Sequence, residues 1–244
     1  MAGQRVGIFG GTFNPVHIGH LRAAIEVAEA VGLQAVEFVP AARPPHKVGN
    51  GLLDFDLRLE LCRLAVEGLP GFSVNPLEAR RDGPSYTCDT LTALGRSRPE
   101  DEFTFILGMG DLLCLGQWKN GYDLGRLANL AVHARAGLDL DVFTDCLDKQ
   151  GAAMGASPTE DPRLWRVEGG HWIRSVPVAR LDICSSDIRE RWLAGRLIDH
   201  LVPRPVLDRL MAHTAALVAA WGEPTPPAHC LQTLKSPERR EAAR

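Results

Sequence analysis

The chain has 244 residues, 45% of them hydrophobic, and a formal net charge of -3. That length can bury a full core, and the acidic balance excludes a protein whose whole surface grips a polyanion such as nucleic acid, so positive charge is expected to be local. No apolar run is long enough for a membrane span and no signal peptide is legible, so we expect a cytoplasmic protein, with its six scattered cysteines as reduced thiols that are mostly small core residues.

The first apolar run, Arg5–Phe9, reads as a short buried strand. It leads into Gly10-Gly11-Thr12-Phe13-Asn14-Pro15-Val16-His17-Ile18-Gly19-His20, and a helical period then runs over residues 18–31 to Gly32, a natural C-cap. A second strand is expected at Ala35–Val39, followed by a loop carrying Pro44-Pro45-His46-Lys47 and Gly49-Asn50-Gly51. A helix over 54–67, begun by Asp54 or Asp56 and ended by Gly68, precedes a strand at Phe72–Asn75. The segment from Arg80 to Thr90 turns into a helix over 87–96, with Ser85 or Thr87 as the candidate cap. Strands follow at Phe103–Leu107 and Asn129–Ala134, separated by Gly108-Met109-Gly110-Asp111 and Gln117-Trp118-Lys119. Residues 137–171 show no clear period, helices are expected over 185–195 and 203–221, and from Glu223 the prolines and mixed charge suggest a mobile tail. The alternation of strand and helix predicts an α/β fold, a Rossmann-like doubly wound parallel sheet with helices on both faces, as one domain over 1–222 with a tail over 223–244.

The loop after the first strand has the layout of a phosphate site. Gly10 and Gly11 let the backbone turn and approach a ligand, and the helix that follows presents free N–H groups and a positive dipole end to an anion. His17 and His20 lie three apart, share one helix face and can reach the same phosphate chain. The spacing is not a Walker A motif, for the chain has no Gly-Lys pair, and it lacks the third glycine of a dinucleotide fingerprint. A zinc pair lacks nearby Cys or carboxylate groups to complete a tetrahedron.

Other segments add candidate groups near the carboxyl ends of the strands. Lys47 is a flexible cation, and the N–H groups opening the helix after Ser85-Tyr86-Thr87 can take a carboxylate. Asp111 can accept from ribose hydroxyls, Trp118 offers a face for a flat heterocycle, and Arg189, one turn into the helix after Cys184-Ser185-Ser186, has a fork that matches phosphate oxygens.

The loop ending in His-x-Gly-His resembles the signature of the nucleotidyltransferase superfamily. Together with Pro44 to Lys47, Ser85 to Leu91, Trp118 and Ile183 to Arg189, it makes the chain from Arg5 to about Trp221 similar to bacterial nicotinate mononucleotide adenylyltransferases. The resemblance implies ATP and nicotinate mononucleotide as substrates, nicotinate adenine dinucleotide and pyrophosphate as products, and Mg²⁺ on the phosphates with no protein side chain as metal ligand. It implies His17, His20 and Arg189 as catalytic groups and Gly10, Gly11, Thr12, Phe13, Gly108, Asp111, Ser185 and Ser186 around ATP. Lys47 and Arg135, with Ser85, Tyr86, Thr87 and Trp118, would hold the mononucleotide; self-association stays open. Three departures from the family pattern stand out: Cys184 and Ser186 replace a serine and a threonine, Ala136 replaces a proline, and Gly110 stands where the family has its ribose-binding aspartate. With Asp111 one residue later, we expect the loop to be reshaped so that Asp111 serves. The amide mononucleotide, another adenylyl- or cytidylyltransfer, and a non-catalytic nucleotide-binding regulator remain as alternatives.

Overall fold

A computed structural model describes residues 3–45, 51–133 and 140–225. Its centre is an eight-stranded sheet in which β1 (Arg5–Gly11) is flanked by β2 (Ala35–Pro40) and β4 (Glu102–Gly108), both parallel to it. The order is β3-β2-β1-β4-β5-β8-β7-β6, with β3 (Phe72–Val74), β5 (Asn129–His133) and β8 (Trp172–Val176) also parallel. At the far edge β7 (Leu164–Val167) and β6 (Ala156–Pro158) run antiparallel. Pro158 suits that edge, where one ladder donor is not needed.

Period-two alternation within each parallel strand divides the core between the two faces. Phe103, Phe105 and Leu107 of β4, with Leu130 and Val132 of β5, pack on one side under α3 (Thr87–Ser97), α4 (Met109–Leu113), α5 (Leu124–Leu127) and α6 (Leu140–Gln150). Ile106, Ala131, Val36 and Phe38 pack on the other, under α1 (Ile18–Val31), α2 (Phe55–Val66), α7 (Ser185–Leu193), α8 (Arg204–Ala212) and α9 (Thr214–Trp221). The doubly wound arrangement expected from the sequence is therefore present. The chain leaves β1 toward β2 and returns on its other side as β4, so strand order reverses between β1 and β4 and a crevice opens beyond their carboxyl ends.

Several boundaries agree with the sequence reading. Gly32 caps α1 in the left-handed conformation at φ +68°, and the Asp54 carboxylate accepts from Asp56 N–H at 2.9 Å to begin α2. Others do not. The helix expected over 203–221 breaks into α8 and α9 at His213, whose N–H folds back on Arg209 O and Leu210 O, while Thr214 Oγ1 donates to Met211 O at 2.7 Å. Residues 137–171, which show no clear period, contain α6, β6 and β7. Glu223–Thr225 fall within the expected tail, yet Thr225 N–H donates to Leu193 O at 2.8 Å; residues 226–244 lie outside the described residues. The described cysteines are free thiols, with Cys62, Cys88 and Cys146 buried; Cys230 lies outside the described residues. No described helix is long and apolar enough to cross a membrane.

Candidate active site

The crevice at the β1/β4 reversal is a cavity of about 520 Å³. One wall is the loop after β1. Gly11 is closely fitted, because a Cβ there would stand 3.0 Å from the Phe13 ring, which folds back beneath it. Phe13 takes φ +48°, a strained value for a bulky residue, and its buried ring packs on Phe9 and Phe38 at centroid distances of 5.9 and 5.4 Å. Phe13 is therefore the floor under the loop, while Gly10, Gly11 and Thr12 line the cavity.

The loop is held from below by a side chain that sequence reasoning missed. Arg58, on α2 and 1% exposed, donates to Thr12 O at 2.8 Å, to Ala41 O at 2.8 Å and to Leu53 O at 2.9 Å. Burial lowers its pKa from the ordinary arginine value, against the pull of Cys62, Asp54 and Glu78. The carbonyl bonds are what make a charge at this depth tolerable. Asn14 adds a second tie, its Oδ1 accepting from Leu53 N–H at 3.0 Å and its Nδ2 donating to Gly51 O at 2.6 Å.

At the start of α1 the two histidines do share a face, stacked with centroids 3.6 Å apart, but their positions differ. His17 is fully buried beneath, and His20 lines the cavity. The His17 N–H donates to His20 Nδ1 at 3.2 Å, which makes Nδ1 an acceptor and assigns the proton of the neutral ring to Nε2. The Phe13 ring stands edge-on to His20 at 5.1 Å and fixes its plane.

The N-terminus of α7 docks on the same loop. Ser185 Oγ donates to Pro15 O at 2.9 Å, and Arg189 donates through Nη1 to Asn14 O at 2.8 Å and through Nη2 to Ser186 Oγ at 3.2 Å. The helix is capped by Cys184 Sγ, which accepts from Asp187 N–H at 3.4 Å, while Ser185 is taken up by the loop.

Tyr86, Thr87 and Trp118 line the same cavity. Ser85 exchanges two 2.9 Å bonds with the backbone of Arg43, tying the loop after β2 to the head of α3 rather than capping the helix. Tyr86 N–H donates to Pro84 O at 3.1 Å, so the N–H groups that head α3 without an intrahelical acceptor are those of Thr87 and Cys88. Trp118 is half-buried, its ring edge-on to Phe105 at 6.5 Å. Beside it Lys119 Nζ donates to both Asp89 oxygens, at 2.9 and 3.1 Å.

At the end of β4, Asp111 lines the cavity with its carboxylate turned back over Gly108, Oδ2 lying 3.4 Å from where a Gly108 Cβ would be. The imidazole of His133 lies 3.8 Å from the same point, because Gly108 and His133 are register partners in β4 and β5. His133, buried and facing the cavity, is a residue that sequence reasoning missed; its place at a strand end beside Gly108 was the signal. Glu78 was missed too. It lines the cavity, and its Oε1 accepts from Thr90 Oγ1 at 2.6 Å. Lys47 and Arg135 lie outside the described residues.

One cavity thus gathers the loop after β1, His20, the head of α3 and the Trp118 face. The cytidylyltransferase-like family model matches residues 8–191. A protein of Geotalea daltonii described as a probable nicotinate-nucleotide adenylyltransferase is 41% identical over 203 residues, covering 83% of this chain and 94% of that protein. One of Maridesulfovibrio salexigens with the same description is 36% identical over 218 residues, covering 89% and 100%. Among solved structures, nicotinic acid mononucleotide adenylyltransferase of Plasmodium falciparum complexed with NaAD has a similar fold, with a TM-score of 0.68 at 16% identity and coverage of 87% and 97%.

Proposed function

From the premise that the chain belongs to the cytidylyltransferase-like family, and within it to the nicotinate-nucleotide adenylyltransferases, we propose how its cavity divides the reaction among its residues. The enzyme transfers the adenylyl group of ATP to nicotinate mononucleotide, giving nicotinate adenine dinucleotide and pyrophosphate. The observation that carries the assignment is that one cavity is lined both by Gly10, Gly11, Thr12 and His20 and by Trp118 and the head of α3.

The triphosphate lies along the loop after β1. Its oxygens are met by backbone N–H groups, Thr12, His20 and Arg189, with His17 behind His20 fixing its tautomer. Ser185 and Ser186 hold the loop and the Arg189 fork in place. Asp111, with His133 beside it, takes the ribose hydroxyls at the end of β4. The pyridine ring stacks on Trp118 and its carboxylate faces the Thr87 and Cys88 N–H groups; Lys47 and Arg135 go to the mononucleotide phosphate side.

No protein nucleophile is needed. The mononucleotide phosphate is an anion at neutral pH and attacks the α-phosphorus in line, so the protein contributes alignment and a field that stabilises charge on the departing pyrophosphate. Among the described residues no group of three or more His, Cys, Asp or Glu is gathered for a metal ion, and the phosphate end offers N–H and hydroxyl donors, which suit phosphate oxygens. In this reading Mg²⁺ would accompany the triphosphate and add charge neutralisation there. The cytoplasm, where both substrates meet, completes it.

The deciding measurement is pyrophosphate release with ATP and Mg²⁺, comparing nicotinate and nicotinamide mononucleotides at equal concentration. A large kcat/KM preference for the acid is expected. Equal rates would remove the carboxylate role from α3, and no release with either would overturn the assignment. Trp118→Ala should raise the KM for the mononucleotide about tenfold, as loss of a stacked ring does, with the KM for ATP within about twofold. Equal losses for both substrates would make Trp118 a packing residue only.

A further inference from the structure

The acid and amide mononucleotides have nearly the same shape and differ by one negative charge, so a cavity that sorts them does so by the charges on its pyridine wall. Lys119 lines that wall and is paired with Asp89, which opens α3 without lining the cavity itself. Asp89 is the third residue of α3, one position beyond the Thr87 and Cys88 N–H groups, and its carboxylate is 41% exposed. Lys119 follows Trp118, lines the cavity, lies 4.8 Å from the centre of the Tyr86 ring, and bonds to both oxygens of Asp89.

Alone, Asp89 would set a negative charge beside the place where the nicotinate carboxylate docks. The helix dipole that attracts the substrate is the same one that suits an acidic residue in the first turn, so the substrate and Asp89 compete for one positive end. Lys119 answers that competition from the opposite loop. Each group holds the other in its charged form: the hydrogen bond to Lys119 keeps the Asp89 carboxyl below its ordinary range, and that to Asp89 raises the lysine. Arg81 adds a weaker pull on Asp89.

We infer that Lys119 is a specificity-determining residue, which by neutralising Asp89 keeps the head of α3 positive and so makes the enzyme choose the carboxylate over the carboxamide. The inference rests on the proposed placement of the pyridine ring against Trp118. Lys119 takes no part in the transfer step itself. The pair is exposed, so its field is screened, and its effect on the acid should weaken as salt is raised.

The test is the ratio of kcat/KM for nicotinate over nicotinamide mononucleotide, measured for wild type, Lys119→Met, Lys119→Arg and the double variant Asp89→Asn with Lys119→Met. In Lys119→Met the ratio should fall about tenfold, the size expected of one unneutralised charge near a partly solvated site, through loss on the acid with the amide changed less than about threefold. Lys119→Arg should keep the ratio, and the double variant should return to within about threefold of wild type, because the charge that needed neutralising is gone. Since both side chains are exposed, melting temperatures should stay within about 2 °C of wild type. An unchanged ratio in Lys119→Met, or a double variant no better than the single one, overturns the inference while the proposed function stands. A wild type without acid preference instead overturns the proposed placement of the carboxylate, and the inference with it.

Discussion

His20→Ala lowers kcat by about 10²- to 10³-fold while the KM for nicotinate mononucleotide changes less than about threefold, the cost expected when one preorganised donor to a developing negative charge is removed. The His17 N–H occupies His20 Nδ1 and leaves Nε2–H as the donor. In the proposed reading that donor meets phosphate oxygens whose charge grows as pyrophosphate departs, so its contribution would be larger in the transition state than in the bound substrates. His20→Gln tests the same point, since its amide retains an N–H of similar reach and should recover part of kcat. Steady-state kinetics with a melting curve for each variant make the check. An unchanged kcat in His20→Ala would refute the role.

Arg189→Ala should lower kcat/KM for ATP about 10²-fold, with Arg189→Lys recovering only part of it. Arg189 is anchored by one nitrogen to Asn14 O and by another to Ser186, so its fork is laid along the phosphate loop before ATP arrives. A lysine supplies the charge but not the two directed bonds that fix it there. Because Arg189 reaches the loop through the backbone of Asn14, some loss of stability is expected as well. Initial rates varied in ATP separate the two effects, since a purely structural role would reduce the active fraction and leave the KM for ATP unchanged.

Most of this architecture is legible in the amino-acid sequence, for identifiable reasons. Central strands such as Phe103–Leu107 are continuous apolar runs, and Gly32 and Asp54 mark helix ends by backbone and capping chemistry that is local in the chain. The Gly-Gly loop and its histidines are legible because their spacing is itself the geometry. The edge of the sheet is not: β6 has three residues and includes Pro158, and β7 has four, too short for a period to show. α6 does carry a signal, with Phe143, Cys146 and Leu147 three and four apart, but four aspartates at positions 139, 141, 145 and 148 dilute it. Within the site, what escapes is long-range. His133 meets Gly108 only through strand register, and nothing local to Arg58 says that its bonds reach back to Thr12. The inequality of His17 and His20 escapes as well, because a spacing of three places both on a face without saying which lies above the other.

The three carbonyls on Arg58 belong to Thr12, Ala41 and Leu53, and the last two stand near the ends of the connection between β2 and α2, from which Ala41, Pro44 and Pro45 line the cavity. That stretch is therefore stapled at both ends to the core, by the same guanidinium that sets the height of the phosphate loop. Substitutions at Pro44 and Pro45 should alter the cavity wall that they line while Arg58 keeps Thr12 in place. The two walls that these loops supply are thus built from different stretches of chain, and each can change on its own as long as Arg58 and Asn14 are kept.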